Sequence, residues 1–132
     1  MEKIRFITDT ACDIPLSTAL ANGVEEAPLT VTILGKTYRE GYDITPQEFY
    51  ALCAKSKELP VSAGVNSLEY QSRIEAAWKD GCTAACIVCI NARGSVSYTA
   101  ACRARDDFFE EHPEARGGLR VEVVDSRTYS IA

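Results

Sequence analysis

The sequence contains no long apolar run. No stretch approaches the roughly 20 consecutive apolar residues that a membrane-spanning helix needs. The opening segment, MEKIRFITDT, also lacks the basic, apolar and small-residue zones of a secretory signal peptide. We therefore expect a cytoplasmic protein with no stable membrane insertion.

An excess of basic residues is also missing. Fourteen Lys and Arg residues stand against nineteen Asp and Glu residues, which gives a net charge of −5 and an isoelectric point near 4.9. Such a chain has no broad attraction for nucleic acid or an anionic membrane surface. We expect its partner to be a small molecule or another protein.

Several catalytic and cofactor motifs are absent as well. Neither G-x-G-x-x-G nor G-x-x-x-x-G-K-[ST] occurs. The single histidine, His112, lies in an acidic segment that we expect to be exposed, which argues against a Ser-His-Asp triad. Cys86 and Cys89 would point to opposite faces of a strand, and no fourth ligand accompanies them and Cys82. We predict no metal, no cofactor and free thiols.

The residues that are present predict one α/β domain. The chain has 132 residues, of which 46% are apolar, enough for a core of that size. The run TAACIVCI at 83–90 shows no alternation, as in a strand covered on both faces of a parallel sheet. We expect three layers, with a mainly parallel sheet flanked by helices. The other predicted strands cover 3–8, 29–34 and 119–124, and 36–39 completes a small hairpin.

Capping residues mark the predicted helices. Thr45, Pro46 and Glu48 form a capping-box pattern, and Asn66 with Glu69 begins another helix that ends at Gly81. A short helix covers 15–22. A further helix is predicted to begin at Ser95 and to be followed by a polar loop over 110–118. The residues of this last helix that share an apolar face are Ser97, Ala101, Ala104 and Phe108.

Polar side chains follow the strands of the predicted sheet. Thr8 and Asp9 come after the first strand, and Asn91, Ser95 and Ser97 come after the strand at 83–90. Ligands of parallel sheets bind beyond the carboxyl ends of the strands, where helix N-termini favour anions. Ser62, in the loop before the Asn66 helix, could reach the same edge.

These residues permit more than one interpretation. The hydroxyls of Ser62 and Ser95 could hold a carboxylate or phosphate, or Ser95 could only cap its helix while Ser62 lines a turn. Alternatively, a small enzyme could act on a phosphorylated or carboxylated substrate, with Asp9 as general base and Ser95 as anion binder. Asp9 could equally be a structural acceptor for loop N–H groups.

Five segments together resemble a known family. They are FITDTACDIP, GKTYREGYDITPQEFY, ELPVSAGVNSLEY, NARGSVSYTAA and VVDSRTYS, and they resemble the first domain of the DegV family of bacterial fatty-acid-binding proteins. The resemblance implies that residues 1–132 form the N-terminal α/β domain of a two-domain protein whose second, C-terminal domain lies outside this chain. From the residues alone, Asp125 and Ser126 look like the cap of a new helix, so we expect the sequence to end inside an element of a longer protein.

The resemblance also implies a function. Family members hold a long-chain fatty acid, with its tail in an apolar tunnel, and some present it to a fatty acid kinase subunit that forms acyl phosphate. This chain would then be a lipid carrier and not an enzyme. Ser62 and Ser95 match family hydroxyls that hold the carboxylate, with Thr8, Asp9, Asn91 and Ser97 as supporting residues, while Val96 replaces a family glycine.

A single domain would form only one wall of such a tunnel. We therefore predict weak or absent lipid retention by this chain, and an exposed apolar surface that promotes self-association.

Overall fold

The computed structural model describes residues 2–130. Its strands are β1 (Ile4–Asp9), β2 (Val24–Ala27), β3 (Thr30–Ile33), β4 (Lys36–Arg39), β5 (Val61–Ala63), β6 (Ala84–Cys89) and β7 (Arg120–Asp125). Its α-helices are α1 (Leu16–Ala21), α2 (Pro46–Lys55), α3 (Ser67–Lys79) and α4 (Ser97–Glu111). Short 3₁₀ helices cover Thr10–Cys12 and Pro113–Gly117.

A four-stranded parallel sheet forms the centre of the fold, in the order β2-β1-β6-β7. The predicted parallel α/β class is confirmed. A second sheet, in the order β4-β3-β5, is antiparallel. Only its β3–β4 hairpin was predicted from the sequence.

The core lies between one face of the parallel sheet and helices α3 and α4. The apolar face predicted for α4 is confirmed, because Ser97, Ala101, Ala104 and Phe108 are all fully buried. The ring of Phe108 meets that of Trp78 on α3 edge-on, with centroids 5.7 Å apart. Burying one such aromatic side chain stabilises the fold by about 1.5–3 kcal/mol.

The opposite face of the parallel sheet is only partly covered, contrary to the prediction for 83–90. Along β6, Ala85, Ile87 and Cys89 are buried, whereas the residues between them are only partly buried. On the neighbouring strand Ile4 and Phe6 are 45% and 48% exposed. Within residues 2–130, helix α1 packs chiefly against β2 at the edge of the sheet. The lack of alternation in β6 therefore does not reflect full cover of both faces.

The predicted helix caps are confirmed. The hydroxyl of Thr45 accepts a hydrogen bond from the Glu48 N–H, and the Glu48 carboxylate accepts one from the Thr45 N–H, both at 3.2 Å. The side chain of Asn66 accepts from the Glu69 N–H at 3.0 Å. Helix α3 ends before Gly81, whose φ of +80° suits glycine.

Two predictions near α4 were wrong. The helix begins at Ser97 and not at Ser95, because the Ser95 hydroxyl accepts the Ser97 N–H in a turn before the helix. The expected polar loop over 110–118 is the end of α4 followed by the second 3₁₀ helix. His112 is half-buried and not exposed, with its ring 4.9 Å from that of Trp78 and 5.2 Å from that of Phe108.

Two further observations bear on the cysteines and on membranes. The cysteines at 12, 53, 82, 86, 89 and 102 are free thiols. Of the helices in the described part of the chain, none has the length and apolarity required to cross a membrane.

Candidate functional site

The carboxyl edge of the parallel sheet brings together the polar residues that follow its strands. The Asp9 carboxylate at the end of β1 accepts the Ile90 N–H at 2.7 Å and the Ala11 N–H at 3.1 Å. Asp125, at the end of β7, accepts the Ala92 N–H at 3.1 Å. The loop after β6 therefore lies between the ends of β1 and β7 at this edge.

Asp9 is a structural acceptor in this arrangement. Its side chain is only 1% exposed, and each carboxylate oxygen accepts one backbone N–H. Burial raises the pKa of Asp9 above its usual range, and the two N–H groups oppose that shift. A carboxylate held in this way is not positioned as the general base of an enzyme.

Thr8 and Asn91 also stabilise the edge of the sheet. The Thr8 hydroxyl donates to the carbonyl of Val88 on β6 at 3.0 Å. The Asn91 side-chain oxygen accepts the Arg93 N–H at 3.2 Å, which closes the turn after β6. Both side chains fix the loop that leads to Ser95.

Ser95 and Ser97 form a hydroxyl pair at the start of α4. Their Oγ atoms are 3.0 Å apart, and the Ser97 Oγ accepts the Val65 N–H at 3.0 Å. Ser97 is fully buried, whereas Ser95 retains partial exposure. The Ser97 hydroxyl therefore joins α4 to the segment after β5, and the partly exposed Ser95 lies beside that junction.

Gly64 makes this junction possible. A Cβ atom at Gly64 would lie 2.9 Å from the Ser95 Oγ, 2.9 Å from the Val96 Cγ2 and 3.0 Å from the Ser97 Oγ. Only a residue without a side chain fits there. Sequence reasoning missed Gly64, although its place between a β-prone stretch and the cap at Asn66 is typical of a close backbone approach.

Ser62 does not lie in a loop, as the sequence analysis expected. It is the central residue of β5 and pairs with Val31 on β3. The three residues of β5 are all exposed, because β5 is an edge strand. Ser62 lies two residues before Gly64, and Gly64 is the residue at which the segment after β5 contacts Ser95.

The N-terminus of α4 favours an anion. Its N-cap residue, Val96, makes no side-chain capping hydrogen bond, and no acidic residue occupies the first turn. The first N–H of the helix, that of Ser97, is bonded to the Ser95 hydroxyl, so the donors open to an anion are the N–H groups that follow it. The free N–H groups and the helix dipole leave a partial positive charge beside the Ser95 hydroxyl. A carboxylate or phosphate near Ser95 would meet both kinds of donor.

The comparisons with known proteins agree with this fold. The family model "Uncharacterised protein, DegV family" matches residues 3–132. The chain belongs to the DegV family. It is 32% identical over 131 residues to a DegV domain-containing protein of Caldanaerobacter subterraneus, which covers 99% of this chain and 43% of that protein.

Solved DegV structures share the fold. A stearic-acid-binding protein from Eubacterium ventriosum superposes with a TM-score of 0.84 at 26% identity, covering 98% of this chain and 43% of that one. A fatty-acid-binding DegV protein from Streptococcus agalactiae gives a TM-score of 0.77 at 28% identity, with the same coverage. The chain therefore spans less than half the length of the DegV relatives it matches.

Proposed function

We propose that this chain forms the carboxylate-binding wall of a fatty-acid site. The observation that carries the proposal is the Ser95 hydroxyl, which is bonded to Ser97 and packed against Gly64 at the N-terminus of α4. Ser62 supplies a second hydroxyl from the strand that leads into Gly64. The stearic-acid-binding protein of Eubacterium ventriosum and the fatty-acid-binding DegV protein of Streptococcus agalactiae support this choice of anion.

We propose further that residues 1–132 are the N-terminal domain of a two-domain carrier. Burying one methylene is worth about 0.8 kcal/mol, so a tail of about 16 carbons offers on the order of ten kcal/mol before the costs of binding. A site at the accessible edge of one domain cannot enclose such a tail. The second domain would cover it, while the hydroxyls orient the carboxylate.

The carrier would present the fatty acid and leave the chemistry to a partner. A separate kinase subunit would transfer the terminal phosphoryl group of ATP to a carboxylate oxygen, which yields acyl phosphate and ADP. Asp9 would hold the loop after β6 in place, since its buried carboxylate accepts the Ile90 and Ala11 N–H groups.

Native mass spectrometry with organic extraction tests the proposal on a longer protein that carries both domains. We expect a co-purifying fatty acid that is lost in Ser95→Ala and retained in Ser72→Ala. Ser72 is a matched control because its exposed hydroxyl donates to the Glu69 carbonyl on α3, away from the site. A lipid-free protein that also fails to take up added fatty acid would refute the proposal.

The 132-residue chain supplies a second measurement. When this chain is titrated with a fluorescent fatty acid, we expect no binding at submicromolar concentration. A single wall of the tunnel leaves the acyl tail of the ligand in water. Submicromolar affinity would show that this domain encloses the ligand by itself.

A further inference from the structure

A second candidate site lies between helices α1 and α2, away from Ser95. It is an open groove of about 630 Å³, within the range of about 300–1,000 Å³ typical of small-molecule sites. Its apolar walls come from α1 and α2, from the segments that precede these helices and from β3; they include Ile14, Leu16, Val31, Ile44, Phe49 and Tyr50. Helix α2 contains no buried residue, so this groove stays open beneath its apolar side.

Glu26 reaches the groove from β2 and is not fully partnered. Its side chain is 2% exposed, and its Oε1 accepts the Cys12 thiol at 3.0 Å. Its Oε2 has no hydrogen-bond partner within residues 2–130. Leaving a buried carboxylate oxygen unpaired costs free energy, which a ligand with a suitable donor would recover.

The charged side chains among the described lining residues of the groove are all acidic. Asp13 and Glu40 also line it, and no Lys or Arg is present among its described lining residues. One Glu40 oxygen accepts the Thr10 hydroxyl at 3.0 Å. The hydroxyl of Tyr42 and the guanidinium of Arg73 donate to the backbone carbonyl of Glu26 and not to its carboxylate.

We propose that this groove binds a small organic cation, namely a protonated amine carried on an apolar chain. The ammonium group would donate to Glu26 Oε2, and the chain would lie against the apolar side chains of α1 and α2. Hydrogen bonds between charged groups are the stronger kind and suit a partly enclosed site. A fatty-acid carboxylate would face three carboxylates there, so this site is distinct in charge from the one at Ser95.

A comparison of three eight-carbon probes tests the proposal. Octylammonium, octanol and octanoate are titrated into the ¹⁵N-labelled protein, and amide shifts are followed by NMR. We expect octylammonium to shift residues of 12–17 and 44–50 and to bind about tenfold more tightly than octanol, with octanoate weakest. Equal or tighter binding of octanoate in this groove would overturn the proposal, as would shifts confined to the Ser95 region.

Two substitutions test whether the Glu26 carboxylate binds the ammonium group. Glu26→Gln should raise the octylammonium Kd by about tenfold, whereas Glu25→Gln should leave it unchanged. Glu25 is the matched control because it is the adjacent residue but pairs with Arg5 at 2.9 Å and does not line the groove. An unchanged Kd in Glu26→Gln would overturn the proposal.

A variant at the groove entrance tests the proposal independently, in case Glu26→Gln does not fold. Tyr50 is 68% exposed, so Tyr50→Lys adds a positive charge without disturbing the core. It should weaken octylammonium and strengthen octanoate. No change in either affinity would count against the proposal.

Discussion

At the scale of single residues, Gly64 decides whether the hydroxyl pair can form. The contact between the segment after β5 and α4 depends on a backbone approach that leaves no room for a methyl group. The Val65 N–H reaches the Ser97 hydroxyl only because of that approach. One glycine therefore links the second sheet to the start of α4.

Gly64→Ala should destabilise the protein by about 1–3 kcal/mol, because the added methyl group meets three side chains at 3.0 Å or less. Urea unfolding measures the change. Gly117→Ala is the control, since nothing lies within 4 Å of the position of its Cβ atom. If both variants lose equal stability, the close approach at Gly64 is not what matters.

Glu26 makes stability depend on pH. Burial raises its pKa above the usual range, and the charge of Asp9 raises it further, while the hydrogen bond from Cys12 lowers it. A carboxyl group whose pKa is higher in the folded state than in the unfolded state favours folding while it is protonated. That contribution is complete below about pH 4 and is lost as the pH rises through the pKa of the folded state.

Glu26→Gln should therefore stabilise the protein at neutral pH by roughly 1 kcal/mol, and the difference from the unsubstituted protein should vanish at low pH. Gln keeps an oxygen for the Cys12 thiol but cannot ionise. Unfolding free energies from pH 4 to pH 8 test this, with Glu110→Gln on the exposed side of α4 as the control. A gap that is constant across that range would contradict the role of Glu26 ionisation.

At the scale of elements, the sequence predicts those whose signals are local. The capping box of α2, the Asn66 cap of α3 and the long apolar strand β6 all lie where the pattern places them. Strands β2 and β5 were missed because they are short, with four and three residues. Adjacent glutamates fill the middle of β2, and only the fold shows that Glu25 meets Arg5 while Glu26 is buried.

The sequence predicts the side chains of the candidate site but not their hydrogen-bond partners. Thr8, Asp9, Asn91 and Ser97 could be placed at one edge because parallel strands end together. The hydrogen-bond partners of these side chains could not be predicted. The Val65 N–H that bonds to Ser97 and the Ile90 N–H that bonds to Asp9 come from segments remote in sequence. The start of α4 was misplaced because Ser95 resembles an N-cap, although its hydroxyl bonds within a turn that precedes the helix.

Helix α2 should depend on its cap more than α3 does. Thr45→Ala removes the side-chain half of the capping box and should cost about 1 kcal/mol. Because α2 buries no residue, the loss should appear as faster hydrogen exchange confined to residues 46–55. Asn66→Ala is the comparison, since α3 is anchored by Tyr70, Ile74 and Ala77 and should weaken only with the whole domain. Equal local melting of both helices would contradict this account.

At the scale of the whole molecule, the parallel sheet is covered unequally. One face is sealed by α3 and α4, while the other presents Ile4, Phe6 and Val124 to solvent. The register places Phe6 beside Cys86, and Val124 beside Val88, on this same face. These neighbours form a diagonal apolar strip across three strands, bordered by Thr8 beside Val88 and by Glu122 beside Cys86. Apolar strips are characteristic of surfaces that become covered.

This strip should make the 132-residue chain self-associate. Sedimentation velocity over a range of concentrations should show a weight-average mass that rises with concentration. Phe6→Thr should move that rise to higher concentration, because it removes the largest exposed ring of the strip and keeps a β-prone residue. Leu59→Thr is the control, since Leu59 is 90% exposed but lies outside the parallel sheet. A chain that stays monomeric at every concentration would show that the strip does not drive association. An equal effect of Leu59→Thr would show the same. The open face of the sheet would then be ordinary exposed surface.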